Sequence, residues 1–157
     1  MGIALGLGDL EAEERALAQA ALEVSAHAYA PYSHYAVGAA LRTRAGAVHR
    51  GCNVENAAYG VVLCAEVGAL AAANVAGAGD AVQVIAVTGH LMAAGAAQDG
   101  AVVTPCGRCR QLILEAAHRA RHDIRVLCCN HDLSRVEVFT IAQLLPHGFG
   151  PGNLGLG

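Results

Sequence analysis

The chain has 157 residues, of which 55% are hydrophobic and 15% are charged, and it carries a net charge of −3. This length is typical of a single domain over residues 1–157, and a charged fraction below the usual ~25% excludes a disordered chain and predicts extensive burial, partly between subunits. A negative net charge argues against a nucleic-acid-binding protein, which needs a basic face.

Two apolar stretches of the sequence do not have the pattern of a signal peptide or of a membrane-spanning helix. The first apolar stretch, Gly2–Gly8, follows no basic residue and is too short and glycine-rich for a signal peptide. The uncharged stretch Ala81–Gln98 is interrupted by polar residues and glycines, whereas a membrane-spanning helix needs about 20 mostly apolar residues. We therefore expect a soluble, cytoplasmic protein without membrane contacts, with flexible glycine-rich tails at residues 1–8 and 152–157.

A helix followed by a β-hairpin is predicted in the first third of the chain. Apolar residues at helical spacing predict a helix from Asp9, its N-cap, to about Tyr29, and Pro31 prevents its continuation. The segments Ala36–Thr43 and Val48–Val54 are predicted to be the two strands of the hairpin.

Helices alternate with strands in the rest of the sequence. A helix of small residues, Cys64–Val75, precedes a buried strand at Val82–Val87, and after a loop to Thr104 a third helix extends from Pro105 to about Arg121. The last predicted elements are strands at Ile124–Cys129 and Val136–Phe139 and a short helix at Thr140–Leu145. This order predicts an α/β fold: a three-layer α/β/α sandwich with a mixed, mostly buried sheet of about five strands.

Cysteines at the starts of two predicted helices are candidates for metal ligands. Cys106 and Cys109 form a Cys-x-x-Cys pair, and residues three apart share one helix face, so both sulfurs can bind one ion. The helix dipole favours the thiolate forms. Cys64 begins another helix, and its sulfur can join the pair if the two helices start at the same edge of the sheet. Three thiolates with an open fourth position are typical of a catalytic zinc.

Two other interpretations of the cysteines stay open. A Cys-x-x-Cys pair alone also fits a thioredoxin-like redox protein. A closed structural zinc site in a non-catalytic scaffold would need a fourth ligand from Cys52, Cys128, Cys129 or a histidine. Because Cys128 and Cys129 are adjacent in a predicted strand, at most one of them can face the site.

Glu66 favours a catalytic site. It lies two residues after Cys64 and is the only charged residue within Val61–Ala73. A carboxylate in such an apolar stretch is costly to bury unless it is paired or used. Beside an open zinc position it can take a proton from an activated water and return it elsewhere.

Two segments of the sequence, Cys64-Ala65-Glu66 and Pro105–Gln111, resemble the zinc signatures of the small cytidine deaminases. Further segments resemble the same family in the same order over residues 31 to 151, and these are Pro31–Leu41, Gly51–Gly60, Leu144–Pro146 and Phe149–Pro151. The resemblance implies a cytidine-deaminase-like fold and a homotetramer. It also implies that each subunit holds one zinc ion, bound by Cys64, Cys106 and Cys109, and that Glu66 is the proton shuttle.

The resemblance also implies a set of substrate-binding residues. Asn53 and Glu55 would hydrogen-bond the ribose hydroxyls, and the backbone of Ala65 would help to hold the pyrimidine. Tyr35, where the family usually has Phe, would flank the pyrimidine ring. Phe149 would close over the base from a neighbouring subunit. Ordinary core packing is the alternative role for Tyr35 and Phe149.

The implied reaction is the hydrolytic deamination of cytidine and deoxycytidine, a step of pyrimidine salvage. One departure is Val67, where many family members have an Arg that offsets the thiolate charge, and we hypothesise that Arg110 and the two helix N-termini offset it here. The related blasticidin deaminases also have an aliphatic residue at this position, so a deaminase of blasticidin S or another small aminopyrimidine is the alternative.

Overall fold

The computed structural model describes residues 2–93, 97–98 and 100–156. Its elements in chain order are β1 (Ile3–Leu5), α1 (Ala12–Ser25), β2 (Tyr35–Thr43), β3 (Val48–Cys52), α2 (Ala65–Val75), β4 (Val82–Leu91), α3 (Gly107–Ala120), β5 (Arg125–Cys129), β6 (Val136–Thr140) and α4 (Ile141–Leu144), with short 3₁₀ turns at Leu7–Asp9, Tyr59–Val61 and Pro151–Leu154. Within the described ranges, no helix has both the length and the apolar character needed to span a bilayer.

The strands form one mixed sheet in the order β1-β6-β5-β4-β2-β3. Strands β4 and β5 are parallel, and the other neighbouring strands are antiparallel. The predicted α/β fold with a leading antiparallel hairpin is therefore confirmed. The sheet has six strands rather than about five, because β1 pairs with β6 at the sheet edge.

Strand β1 was missed because a three-residue strand between glycines is too short to show an alternating pattern. It lies inside the segment 1–8, which was predicted to be a flexible tail. Met1 and Gly157, the outermost residues of the two predicted tails, lie outside the described residues.

Helices cover both faces of the sheet, as the three-layer prediction requires. On one face, α1 packs against β2 and β4 and contributes Leu17 and Ala21 to a buried core. On the other, α2, α3 and α4 pack around a core that includes Ile85, Ile113 and Ile141. Both faces of the sheet carry a buried hydrophobic cluster, so the central strands are apolar on both sides.

Some predicted boundaries were wrong. Helix α1 begins at Ala12 with Glu11 as its N-cap, whereas Asp9 accepts a hydrogen bond from the backbone N–H of Gly6 at 2.8 Å and closes the preceding turn. Strand β4 continues to Leu91, four residues past its predicted end, because it pairs along the whole of β2. Pairing between strands thus overrides the weak local β-propensity of the segment from Thr88 to His90.

Small residues allow α2 to lie very close to the sheet. Ala65, Ala69 and Ala73 recur every four residues and are fully buried. A Cβ placed on Gly51 of β3 would lie 2.3 Å from the carbonyl oxygen of Ala65, so only glycine fits there. This approach fixes the first turn of α2, which carries the sequence-predicted site residues, on the end of the β2–β3 hairpin.

Candidate metal centre

The structure brings together three cysteine sulfurs from two helix starts. Cys64 is the N-cap of α2, Cys106 is the N-cap of α3, and Cys109 lies in the first turn of α3. Their Sγ atoms lie within 4.8 Å of one another, and the Cys64 and Cys106 sulfurs are 4.0 Å apart. The predicted convergence of the three cysteines is therefore observed.

This geometry fits a zinc ion. Tetrahedral coordination with Zn–S distances of about 2.3 Å places sulfur ligands about 3.8 Å apart, close to the observed Cys64–Cys106 separation. All six cysteines are free thiols. Among the described residues, no fourth Cys, His, Asp or Glu ligand joins this group. The donor set therefore fits a zinc that keeps one position open for water or substrate.

The remaining buried cysteines lie elsewhere in the core. Cys128 is buried on the face covered by α2 and α3, whereas Cys129 is buried on the face covered by α1. The expectation that these neighbours point to opposite faces is confirmed. Neither belongs to the three-sulfur group, so the closed four-cysteine arrangement is not formed.

Glu66 lies in the first turn of α2 beside the sulfurs and is only 4% exposed. Burial raises the pKa of its carboxyl, while hydrogen bonds from its own backbone N–H and from Cys109 act in the opposite direction. A carboxyl with a raised pKa accepts and returns protons near neutral pH more readily than an exposed one. The structure thus places a buried carboxyl with a raised pKa next to the three-sulfur group.

The thiols differ in how readily they ionise in the absence of a metal. Burial raises the pKa of Cys64, and burial together with the charge of Glu66 raises that of Cys109. Burial by itself raises the pKa of Cys106 as well. The pKa of Cys106 is nevertheless lowered, because the backbone N–H of Cys109 donates a hydrogen bond to the Cys106 sulfur. A divalent cation would stabilise all three thiolates.

Arg110 does not contact the sulfurs through any hydrogen bond of the described residues. Its guanidinium donates to the carbonyl oxygens of Pro105 (2.8 Å) and Leu144 (3.0 Å) and to Thr104 Oγ1 (3.4 Å). These are neutral acceptors in the loop before α3 and at the end of α4. Arg110 therefore holds this loop in place, and its role in offsetting the thiolate charge stays a prediction.

Asn53 and Glu55 lie just after β3, which ends at Cys52, two residues before its predicted end. The amide of Asn53 is almost buried, accepting a hydrogen bond from the Val37 N–H at 2.8 Å and donating one to the Tyr35 carbonyl at 2.9 Å. Its side chain therefore extends the β2–β3 pairing toward the metal centre, which leaves one N–H available to a ligand.

Glu55 lines a pocket of about 280 Å³ with Tyr32, Ser33, Tyr59 and Val62. One carboxylate oxygen accepts from the backbone N–H groups of Tyr32 (2.9 Å) and Ser33 (3.2 Å). Hydrogen bonding from the Ser33 side chain and from these backbone groups lowers the pKa of Glu55. The carboxylate is therefore charged and held in one orientation, with its second oxygen able to accept from a hydroxyl group.

Tyr35 begins β2, opposite the end of β4. Its ring lies over Gly89, where an added Cβ would come within 2.7 Å of a ring carbon. Because glycine has no Cβ, Gly89 leaves the space that the ring of Tyr35 occupies. Ala65 is the first residue of α2, so its backbone N–H is one of those at a helix start that lack an intrahelical acceptor.

Phe149 lies near the C-terminus with 60% of its surface exposed. Its carbonyl oxygen accepts a hydrogen bond from Gln111 Nε2 of α3 at 2.7 Å. Core packing is therefore not the role of its ring. Sequence reasoning missed two features of the site. Gln111 anchors the backbone at Phe149, and Tyr32 and Tyr59 form part of the pocket wall, although all three residues belong to the motif segments.

Comparisons with known proteins agree on one family. A family model described as the cytidine and deoxycytidylate deaminase zinc-binding region matches residues 11–122. A cytidine deaminase of Mycobacterium tuberculosis is 40% identical over 134 residues, 85% of this chain and 87% of that protein. One of Halalkalibacterium halodurans is 36% identical, over 87% and 94% of the two chains. The crystal structure of cytidine deaminase from Burkholderia pseudomallei has a TM-score of 0.74 at 40% identity, covering 85% and 97% of the chains.

Proposed function

The chain belongs to the cytidine and deoxycytidylate deaminase family, and on that premise we propose that it catalyses the zinc-dependent hydrolytic deamination of cytidine and deoxycytidine to uridine and deoxyuridine, with release of ammonia. The observation that carries the proposal is the buried Glu66 carboxylate in the first turn of α2, beside three sulfurs that converge from two helix starts. A structural zinc site has no need of a buried carboxylate, whereas hydrolysis needs a proton carrier.

Zinc, bound by Cys64, Cys106 and Cys109, would supply a Lewis acid that makes water nucleophilic at neutral pH. Glu66 takes a proton from that water and delivers it to ring N3, which makes C4 of the pyrimidine electrophilic. After the water oxygen has added to C4, Glu66 takes the second proton from that oxygen and delivers it to the amino group. The C4–N4 bond then breaks, ammonia leaves, and a carbonyl remains at C4.

The pocket beside Glu55 supports a nucleoside as the substrate. The Glu55 carboxylate and the remaining N–H of Asn53 offer an acceptor and a donor, which complement ribose hydroxyls. A carboxylate at this position disfavours a phosphate group by charge repulsion. Tyr35 flanks the pyrimidine, and the backbone N–H of Ala65 hydrogen-bonds it at the start of α2.

The active form is a homotetramer with sites at subunit boundaries. Exposed apolar side chains support this assembly: Tyr59 is 70% and Phe149 60% exposed, and Tyr29, Val54 and Leu63 are also exposed. Burial of such residues stabilises subunit contacts, and Phe149 then covers the base bound by a neighbour. The enzyme acts on free nucleosides in the cytoplasm, as a step of pyrimidine salvage.

A substrate panel with a metal assay on the same sample tests the proposal. Cytidine, deoxycytidine, CMP, adenosine and blasticidin S are each incubated with the protein, and ammonia release is measured beside zinc content. We expect turnover of the first two and about one zinc per subunit. Exclusive turnover of blasticidin S would replace the nucleoside by that substrate. A zinc-free protein with a Cys106–Cys109 disulfide would overturn the hydrolytic function.

A further inference from the structure

A hydrogen bond joins the two segments that carry the sulfur ligands. Nη1 of Arg108 donates to the carbonyl oxygen of Val62 at 2.9 Å. Arg108 lies between Cys106 and Cys109 at the start of α3, and Val62 lies two residues before Cys64. The side chain of Arg108 therefore connects the two segments whose cysteines would bind the zinc ion.

The segment before Cys64 is otherwise attached to a different part of the protein. Leu63 and Val54 exchange two backbone hydrogen bonds, which hold this segment against the chain after β3. Among the described side-chain hydrogen bonds, and apart from the Cys64–Cys106 sulfur contact, the Arg108 bond is the one that joins it to α3. The Arg108 bond thus links the segment before Cys64 directly to the start of α3.

Arg108 also brings a positive charge to a region of negative charge. Three thiolates and Zn²⁺ have a net charge of −1, and Glu66 adds a carboxylate. The chain has no lysine, and Arg108 and Arg110 are the two arginines in the first turn of α3.

We propose that Arg108 is a positioning residue for the metal centre: it holds Cys64 against the Cys106–Cys109 pair and raises zinc affinity without contacting the ion. This inference rests on the zinc site of the proposed function. Residues that orient metal ligands typically contribute about 10–100-fold to metal affinity. Because Arg108 is exposed, its replacement leaves the core intact.

The test compares zinc affinities of the metal-depleted full chain, measured by competition with a chromogenic chelator. Arg108→Ala should weaken zinc binding by about tenfold or more. Arg108→Lys keeps a donor and the charge, and its affinity should stay within about threefold of the wild type. Arg119→Ala is the matched control, because Arg119 also joins α3 to α2, through Asn74 Oδ1 at 3.0 Å, but at the far ends of both helices.

The outcomes separate this inference from the proposed function. Affinity that falls in Arg108→Ala, and stays near the wild-type value in Arg108→Lys and Arg119→Ala, supports the positioning role. Wild-type affinity in Arg108→Ala overturns it, as does an equal loss in Arg119→Ala, which would show a general effect of helix packing. A wild-type chain that binds no zinc would instead overturn the proposed function itself.

Discussion

The sulfurs of Cys64 and Cys106 lie 4.0 Å apart, although the two cysteines are 42 residues apart in the chain and begin different helices. Each is an N-cap, so the unpaired N–H groups of two helix starts lie beside the sulfurs. The partial positive charge of both helix ends favours thiolates at this position.

Replacing Cys106 by Ser should remove the metal without unfolding α3. Serine is a good N-cap, but its hydroxyl is a poor zinc ligand compared with a thiolate. We expect zinc content to fall from about one per subunit to nearly zero, with helical circular dichroism retained, measured after dialysis. Cys52→Ser, at a half-buried cysteine outside the three-sulfur group, should keep its zinc. Full zinc content in Cys106→Ser would exclude this cysteine as a ligand.

Glu66→Gln should keep the fold and the zinc but lose turnover. Glutamine has nearly the same shape, yet it cannot carry a proton, and general acid–base catalysis contributes about 10²–10⁴-fold. We expect kcat for cytidine to fall by at least about 10²-fold at unchanged zinc content. The control Glu115→Gln changes an exposed carboxylate on α3 and should retain kcat. Wild-type turnover in Glu66→Gln would remove this residue from the mechanism.

Glu55→Gln should raise KM for cytidine and change the response of stability to acid. Hydrogen bonds lower the pKa of Glu55 from its ordinary value of 4.5. The charged form therefore stabilises the folded state above pH 4.5, and this contribution is lost as the pH falls through the lowered pKa.

We measure the Tm of the wild type and of Glu55→Gln from pH 6 to pH 2.5. The wild type should have the higher Tm at pH 6, and the two Tm values should converge toward pH 2.5. Glu23→Gln, at a carboxylate on α1 away from the pocket, serves as the control and should leave KM unchanged. A wild-type KM in Glu55→Gln would show that the carboxylate fixes the Tyr32–Ser33 turn and does not bind substrate.

Phe149→Ala should raise KM more than it lowers kcat. An aromatic contact beyond area burial is worth about 0.5–1.5 kcal/mol, which corresponds to roughly 2–10-fold in affinity. Leu154→Ala is the control, since Leu154 is 64% exposed in the same C-terminal segment. Sedimentation analysis in parallel shows whether the assembly persists. Equal KM values for the two variants would contradict a contact between Phe149 and the bound base.

Gly51→Ala should destabilise the protein and weaken zinc binding together. The added Cβ would lie 2.3 Å from the Ala65 carbonyl oxygen, so the first turn of α2 must move. Overpacking of this kind costs about 1–3 kcal/mol, which urea unfolding measures. Gly8→Ala, where no atom lies within 4 Å of the added Cβ, should be neutral. Unchanged stability and zinc affinity in Gly51→Ala would contradict the role given to this close approach.

The sequence by itself determined the helices and strands other than β1, and it determined which residue types the candidate site contains. The apolar patterns predicted the α/β order, and the spacing of Cys106 and Cys109 predicted one metal-binding helix face. The position of Glu66 in an otherwise uncharged stretch marked it as a candidate proton carrier. All of these signals are local, because they depend on residues within a few positions of one another.

Only the tertiary structure decided how distant segments meet. Several contacts join parts of the chain that no sequence periodicity relates. They are the pairing of β1 with β6, the pairing that extends β4 to Leu91, and the hydrogen bonds of Arg110 to Leu144 and of Arg108 to Val62. They depend on packing and on hydrogen bonds formed once the sheet has assembled. The separation of the Cys64 and Cys106 sulfurs has the same origin, since it follows from where α2 and α3 begin on the folded sheet.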